Sequence, residues 1–198
     1  MSGRSAHRTN RVRIIGGQWR SRRITFPDAP ELRPTPDRVR ETLFNWLGQD
    51  LSGRRCLDLF AGAGALGFEA LSRGAAEVVM VERSRSAAAA LRDNAARLGA
   101  SALQIVVGDA LHFLAAAPPS KFDVVFVDPP FRSGLVAAVL ERLPAALAGG
   151  ARVYVEGDAP LALPSAWRVL RRGRAGAVHY QLVQWGGDAD QGGLSGDV

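Results

Sequence analysis

Four consecutive residues, Asp128, Pro129, Pro130 and Phe131, close an apolar run that begins at Phe122. Two adjacent prolines donate no backbone hydrogen bonds, so a strand arriving there loses its ladder and gives way to a stiff loop. That loop offers carbonyl oxygens without competing N–H groups, a carboxylate on one side and an aromatic face on the other. A planar molecule bearing an amino group finds acceptors in Asp128 and the Pro129 carbonyl, and a stacking surface in Phe131. A nucleobase with an exocyclic amine is such a molecule.

A second set of residues lies upstream. Gly62, Gly64 and Gly67 follow the G-x-G-x-x-G spacing, and Glu82 stands 20 residues beyond Gly62. Alone, these residues describe either a dinucleotide site, with Glu82 on ribose hydroxyls, or glycines that merely tighten a strand-to-helix turn. Asp58, just ahead of the glycines, would repel a pyrophosphate and suits a ligand with an ammonium or sulfonium charge. Asp109 is placed to accept a hydrogen bond from an adenine amine. Each acid singly reads as a loop or cap residue. Asp58, Glu82 and Asp109 in that order, with Asp128-Pro129-Pro130-Phe131 behind them, read as a ligand-binding edge.

The elements that must position these groups follow from hydrophobic period and turn residues. Strands are expected over Arg55–Phe60, Glu77–Glu82, Gln104–Val107, Asp123–Val127 and Ala151–Glu156. Helices are expected over Gly64–Arg73, Ser84–Leu98, Leu111–Ala116 and Leu135–Ala148. Such alternation, with strands apolar on both faces, predicts an α/β fold with a mostly parallel sheet covered on both sides. The acids then fall along the carboxyl edge of the strands, where open sheets bind ligands. Trp167–Arg172 and Val178–Trp185, around a turn at Gly173–Gly176, add an antiparallel hairpin at one edge.

Ahead of this region, Arg11–Ile15 and Arg22–Phe26 read as a short hairpin about Gly16 and Gly17, with Val12, Ile14, Ile24 and Phe26 on its apolar face. Pro27–Pro34 is a proline-rich connector. Thr35 as N-cap, Pro36 and Asp37 start a helix that places Val39, Leu43, Trp46 and Leu47 on one face and stops at Gly48. Residues 1–10 form a polar arm and 186–198 a glycine-rich tail, both without apolar periodicity and expected to be disordered. The domains expected are therefore the arm, a basic extension over 11–34, a main domain over 35–185 and the tail.

The chain has 198 residues and a net charge of +6, and the placement of that charge matters. Residues 1–40 hold ten arginines against Asp28, Glu31 and Asp37, which gives +7; the remaining 158 hold 15 basic and 16 acidic residues, which gives −1. The whole excess sits at the front. It reads as a solvated basic arm or as a phosphate-binding footprint for nucleic acid. Arg11, Arg13, Arg20, Arg22 and Arg23 are the candidate phosphate contacts. Trp19 either stacks on a base or packs against the sheet. The single cysteine, Cys56, lies in an apolar strand and suits packing rather than reactivity, so no covalent cysteine route is expected. His7, His112 and His179 have no metal-ligand spacing, and no metal is expected. No apolar run is long enough to span a membrane, and the front is not a secretory signal, so a cytoplasmic protein is expected.

Taken together, Asp58, Gly62, Gly64, Glu82, Asp109 and Asp128–Phe131 resemble an S-adenosylmethionine-dependent amino-methyltransferase of the Rossmann-like class I type. Arg13-Ile14-Ile15-Gly16-Gly17-Gln18-Trp19-Arg20 and the stretch from Arg33 to Trp46 resemble the bacterial RsmD family. The resemblance implies a seven-stranded mostly parallel sheet with an antiparallel hairpin edge. It implies methylation of a guanine N2 in small-subunit (16S) ribosomal RNA, by a monomer acting on that RNA, within an assembling subunit or not. It further implies that Asp58, Gly62 and Gly64 surround the methionine part of the cofactor, with Phe60 and Arg83 also at the cofactor. Glu82 would bind its ribose hydroxyls, Asp109 and Ala110 its adenine, and Asp128–Phe131 would hold the target base. The segment Arg38–Thr42 would cover the cofactor mouth. Three other readings stay open on the residues alone: a DNA adenine-N6 methyltransferase, an NAD-binding oxidoreductase, and a non-catalytic RNA-binding protein.

Overall fold

The structure is a computed structural model that describes residues 9–28, 34–116, 121–130 and 133–186. The expectations for the arm before Thr9, for Arg33, for Phe131 and for the tail after Gly186 lie outside the described residues.

Strands β1 (Thr9–Arg13) and β2 (Arg23–Pro27) pair antiparallel, with Val12 opposite Ile24. Helix α1 (Asp37–Leu47) follows. The main sheet contains β3 (Arg55–Asp58), β4 (Glu77–Glu82), β5 (Leu103–Val107), β6 (Phe122–Val127), β7 (Leu147–Gly157), β8 (Trp167–Ala175) and β9 (Val178–Trp185). Their order is β5-β4-β3-β6-β7-β9-β8. The first five are mutually parallel, while β9 runs antiparallel to β7 and to the edge strand β8. The expected seven-stranded sheet with an antiparallel hairpin is thus present. Its order turns back between β3 and β6, which makes the carboxyl ends of those two strands the switch point.

Helices α2 (Ala65–Ser72) and α3 (Arg85–Leu98) join α1 on one face; α4 (Ala110–Ala115) and α5 (Leu135–Arg142) cover the other. The helix expected over Leu135–Ala148 is shorter. Proline has no N–H for a helix interior, and Pro144 falls in a single 3-10 turn over Leu143–Ala146, after which Leu147 already begins β7. The turn of the β8–β9 hairpin lies later than expected, because Ala175 pairs with Val178 and leaves Gly176 and Ala177 between them. Thr35 is not the cap of α1. The cap position is Pro36, with no side-chain cap bond, and the helix closes on Gly48 as expected.

The front hairpin is not an appendage. Val12, Ile14, Ile24 and Phe26 are buried in the same apolar cluster as Val39, Leu43 and Phe44 of α1, Phe68 of α2 and Leu91 of α3. Asn94 of α3 pairs with β2 as a neighbouring strand would: its amide donates to the Thr25 carbonyl at 2.8 Å and its oxygen accepts the Thr25 N–H at 3.0 Å. The hairpin turn lies against the end of α2, where Gln18 N–H donates to the Ser72 carbonyl at 2.7 Å. A Cβ on Gly17 would meet that carbonyl oxygen at 1.8 Å, and its φ is +72°, so only glycine fits. Trp19, at 8 % exposure, belongs to this core and donates its backbone N–H to Ser72 Oγ. Base stacking by Trp19 is therefore excluded in favour of packing.

A buried ion network ties the hairpin, α1 and α2 together. Glu69 is fully buried and binds Arg40 at 3.1 Å through one oxygen and Arg73 at 2.8 Å through the other. Arg40, at 1 % exposure, also donates to the carbonyls of Thr35 and Arg13 and to Asp37. Each nitrogen of that guanidinium donates to an acceptor, which is the condition for burying a charge at tolerable cost. Arg40 is therefore committed to the interior, and no residue of Arg38–Thr42 lines the large cavity at the strand ends.

Candidate active site

A cavity of about 640 Å³ opens at the carboxyl ends of the parallel strands. Asp58, Phe60, Gly62, Glu82, Arg83, Asp109, Ala110, Asp128, Pro129 and Pro130 all line it. Of the residues expected to surround cofactor and base, Gly64 stands behind the wall and Phe131 is not described. Gly64 acts on the turn instead. Its N–H donates to the Ala61 carbonyl at 2.6 Å, its φ is +80°, and a Cβ there would strike Leu91 and Phe68.

The two acids nearest the glycine turn are already engaged with it. Asp58 Oδ2 accepts the Gly67 N–H at 3.1 Å, and Glu82 Oε2 accepts the Gly62 N–H at 2.8 Å. The other Glu82 oxygen accepts the Ser84 N–H at 2.7 Å. Backbone donors at such a turn are what a pyrophosphate binds in a dinucleotide site. Here carboxylates hold them, so the cavity wall at the turn is anionic and the NAD reading loses its anchor. Asp58 is 1 % exposed. Burial pushes its carboxyl up to about 7; the N–H groups of Gly67 and Phe60 pull the other way, and Glu82 adds to the rise. Asp109 caps α4, accepting the N–H groups of Leu111 at 2.9 Å and His112 at 3.0 Å through one oxygen, while the residue lies on the cavity rim.

At the other end of the cavity, β6 stops at Val127, one residue short of Asp128, as the two prolines require. Asp128 Oδ2 accepts the Thr35 hydroxyl at 3.2 Å. Burial raises the Asp128 carboxyl well above its ordinary range; Glu156 and then Asp58 add to the rise, and Thr35 opposes it. Thr35 and its neighbours Pro34 and Pro36 form the lip of the cavity.

Several lining residues were not among those singled out from sequence: the lip residue Thr35 as an Asp128 partner, Glu156 at the end of β7, and Val178 at the start of β9. Glu156 carries the same signal as Asp58 and Glu82, an acid at a parallel strand's carboxyl end. Thr35 had none, because its partner is 93 residues away.

The lip has a second side. A smaller cavity of about 440 Å³ is walled by Arg11, Arg13 and Arg23 together with the same Pro34, Thr35 and Pro36. Arg13 pairs with Asp37 at 3.1 Å, and Arg22 donates to the Arg97 carbonyl at 2.7 Å. Arg11, Arg20 and Arg23 are exposed. Cys56 is buried, and that burial pushes its thiol up to about 12, so it is no nucleophile. Among the described residues no cluster of His, Cys, Asp or Glu could hold a metal ion, and no helix is long and apolar enough to cross a membrane.

The donor set fits S-adenosylmethionine. Leu59, Phe60, Ala61, Val81 and Ala110 supply apolar wall for an adenine, Glu82 and Asp109 supply rim acceptors, and Asp58 supplies a carboxylate for a cationic group.

The chain is similar to known proteins along most of its length. A family model described as conserved hypothetical protein 95 matches residues 12–184. Ribosomal RNA small subunit methyltransferase D of Escherichia coli strain K12 is 46 % identical over 181 residues, covering 89 % of this chain and 91 % of its own. The protein of the same name from Haemophilus influenzae is 42 % identical, covering 87 % of this chain and 93 % of its own. The solved structure of yhhF from Escherichia coli superposes with a TM-score of 0.80 at 45 % identity, over 89 % of this chain and 98 % of that one.

Proposed function

The chain belongs to the conserved hypothetical protein 95 family, the RsmD family, and from that premise we propose that it methylates the exocyclic N2 of a guanine in small-subunit (16S) ribosomal RNA. The methyl donor is S-adenosylmethionine, and the enzyme acts in the cytoplasm as a monomer, on free RNA or on an assembling small subunit.

One observation carries this reading: the base-holding loop Asp128-Pro129-Pro130 and the acids Asp58 and Glu82 face a single cavity across the switch point. When bound, S-adenosylmethionine supplies a methyl group on a positively charged sulfur. A guanine amine is a poor nucleophile because its lone pair is delocalised into the ring. Asp128 and the Pro129 carbonyl accept its two N–H bonds and draw the nitrogen toward a tetrahedral shape. That would leave the lone pair free to face the methyl group the cofactor would supply, and Asp128 would take the proton the amine gives up. An ordinary carboxylate is a modest base, but the raised proton affinity of Asp128 suits it to that step. Alignment is the larger contribution, worth several kcal/mol of the barrier. Phe131 would stack on the base.

Arg11 and Arg23 beside the lip, and the exposed Arg20 in the hairpin turn, supply phosphate contacts. The test is transfer of radiolabelled methyl groups to protein-free ribosomal RNA, assembled small subunits and DNA, followed by digestion to nucleosides. Label in N2-methylguanosine from small-subunit RNA is expected. Label in N6-methyladenosine, or in DNA, would overturn the assignment.

A further inference from the structure

A second carboxyl group stands beside Asp128. Strands β6 and β7 are parallel, Phe126 pairs with Tyr154, and Val127 pairs with Val155. Asp128 and Glu156 therefore leave neighbouring strands at the same level and on the same face, and both line the cavity. Glu156 is 3 % exposed. The buried Tyr154 hydroxyl donates to Glu156 Oε2 at 2.7 Å and fixes its direction. The groups around it are Asp128 from β6, Tyr154 on its own strand and Tyr180, which pairs with it from β9, while Asp58 from β3 adds its charge on the Asp128 side. Among the described residues no arginine or lysine forms an ion pair with it. A carboxyl buried beside another is costly, and a glutamine or an apolar residue would pack there at lower cost. Its presence at the cavity wall calls for a ligand that donates hydrogen.

We propose that Glu156 determines which base the site accepts, by taking the ring N1–H of guanine while Asp128 and Pro129 hold the adjoining amine. This rests on the guanine-N2 reading. Guanine presents two neighbouring donors, N1–H and the amine, to a pair of neighbouring carboxyl groups. Adenine presents a lone pair at N1 beside its amine, and that lone pair would face the Glu156 oxygens with no hydrogen between them. A site built around a hydrogen bond rejects the analogue that lacks it far more strongly than an apolar pocket rejects a near-isostere. Tyr154 is the positioning residue for this carboxyl.

The experiment compares guanosine with 2-aminopurine riboside, which keeps the amine but has a lone pair at N1. Each is placed at the methylated position in small-subunit RNA, reconstituted into subunits. Full-length wild type, Glu156→Gln and Glu156→Ala are assayed, with calorimetric binding of S-adenosylmethionine as the folding control. Wild type should favour guanosine by at least about 30-fold in kcat/KM. Glu156→Gln, whose amide N–H can meet the N1 lone pair, should narrow that preference to about threefold or less, and Glu156→Ala should narrow it as well. An unchanged preference in variants that bind the cofactor normally would overturn the inference. Failure of the underlying reading would show differently, as wild type that makes no N2-methylguanosine at all.

Discussion

The Thr35 hydroxyl donates to Asp128 Oδ2 across 3.2 Å, joining the lip of the cavity to the end of the central strand β6. Thr35 is itself held, because its carbonyl accepts a hydrogen bond from the buried Arg40. The orientation of Asp128 thus depends on a chain of contacts that reaches α1 and, through Glu69, α2.

Thr35→Val should remove that bond and keep the shape. A hydrogen bond to a charged acceptor is worth about 1.5–3 kcal/mol, so methyl transfer should fall by about 10- to 100-fold with cofactor affinity unchanged. The bond opposes the rise in Asp128 proton affinity. Its loss should therefore move the acid limb of the pH–rate profile to higher pH. A limb that stays in place would show that Asp128 is not the group titrating there.

Asp128→Ala should abolish methyl transfer and leave S-adenosylmethionine affinity within a few-fold of wild type. Near-normal turnover on small-subunit RNA would sink the role given to this carboxyl.

Cofactor binding should strengthen as pH rises through neutrality. The Asp58 carboxyl titrates at about 7 in the ligand-free protein because it is buried. A cationic ligand favours its ionised form, so binding releases a proton wherever the group starts protonated. Calorimetry in buffers of different ionisation enthalpy should detect that release near pH 6.5, and Asp58→Asn should abolish it. The same group has a stability signature. Its folded pKa lies above the ordinary value, so its contribution favours the folded state at low pH and is lost as pH rises toward 7. Asp58→Asn should accordingly raise the melting temperature more at pH 8 than at pH 5.

Replacing Arg11, Arg20 and Arg23 together by Gln should weaken RNA binding and reduce its salt dependence. Each phosphate contact to single-stranded RNA contributes a log–log slope of about 0.7, so three lost contacts should lower the slope by about 2. An unchanged slope would remove the front hairpin from the RNA footprint. Deleting residues 1–27 would be the wrong test, because it strips Val12, Ile14, Ile24 and Phe26 from the common core.

Glu69→Ala would leave Arg40 and Arg73 without their shared carboxylate in the interior. Breaking one partner of a buried ion pair costs about 3–5 kcal/mol, so a large drop in melting temperature is expected. A drop no larger than that of an exposed Glu41→Ala control would refute the network's role.

Much of this was readable in the sequence because it is local. Strand alternation, the glycine spacing and the proline stop each depend on neighbours a few residues apart, and so the cavity's acids fell into line. What escaped was set by contacts far along the chain. Trp19 is polar-flanked and near a turn, and only Ser72 and the core behind it show that it packs. Arg40 looks like one more surface arginine until Glu69 is brought beneath it. Glu156 was legible by the rule applied to Asp58 and Glu82, but it sits past the apparent end of the cofactor motif. The overlong helix after Leu135 arose because Pro144 falls just where apolar periodicity continues.

The proline-bounded lip Pro34–Pro36 is the common wall of two cavities, one with strand-end carboxylates and the other with Arg11, Arg13 and Arg23. Because the hairpin shares its core with α1, α2 and α3, the spacing across that wall is fixed before any substrate arrives. A phosphate drawn to the arginine side and an amine drawn to the acidic side would meet across a wall whose position binding does not have to set.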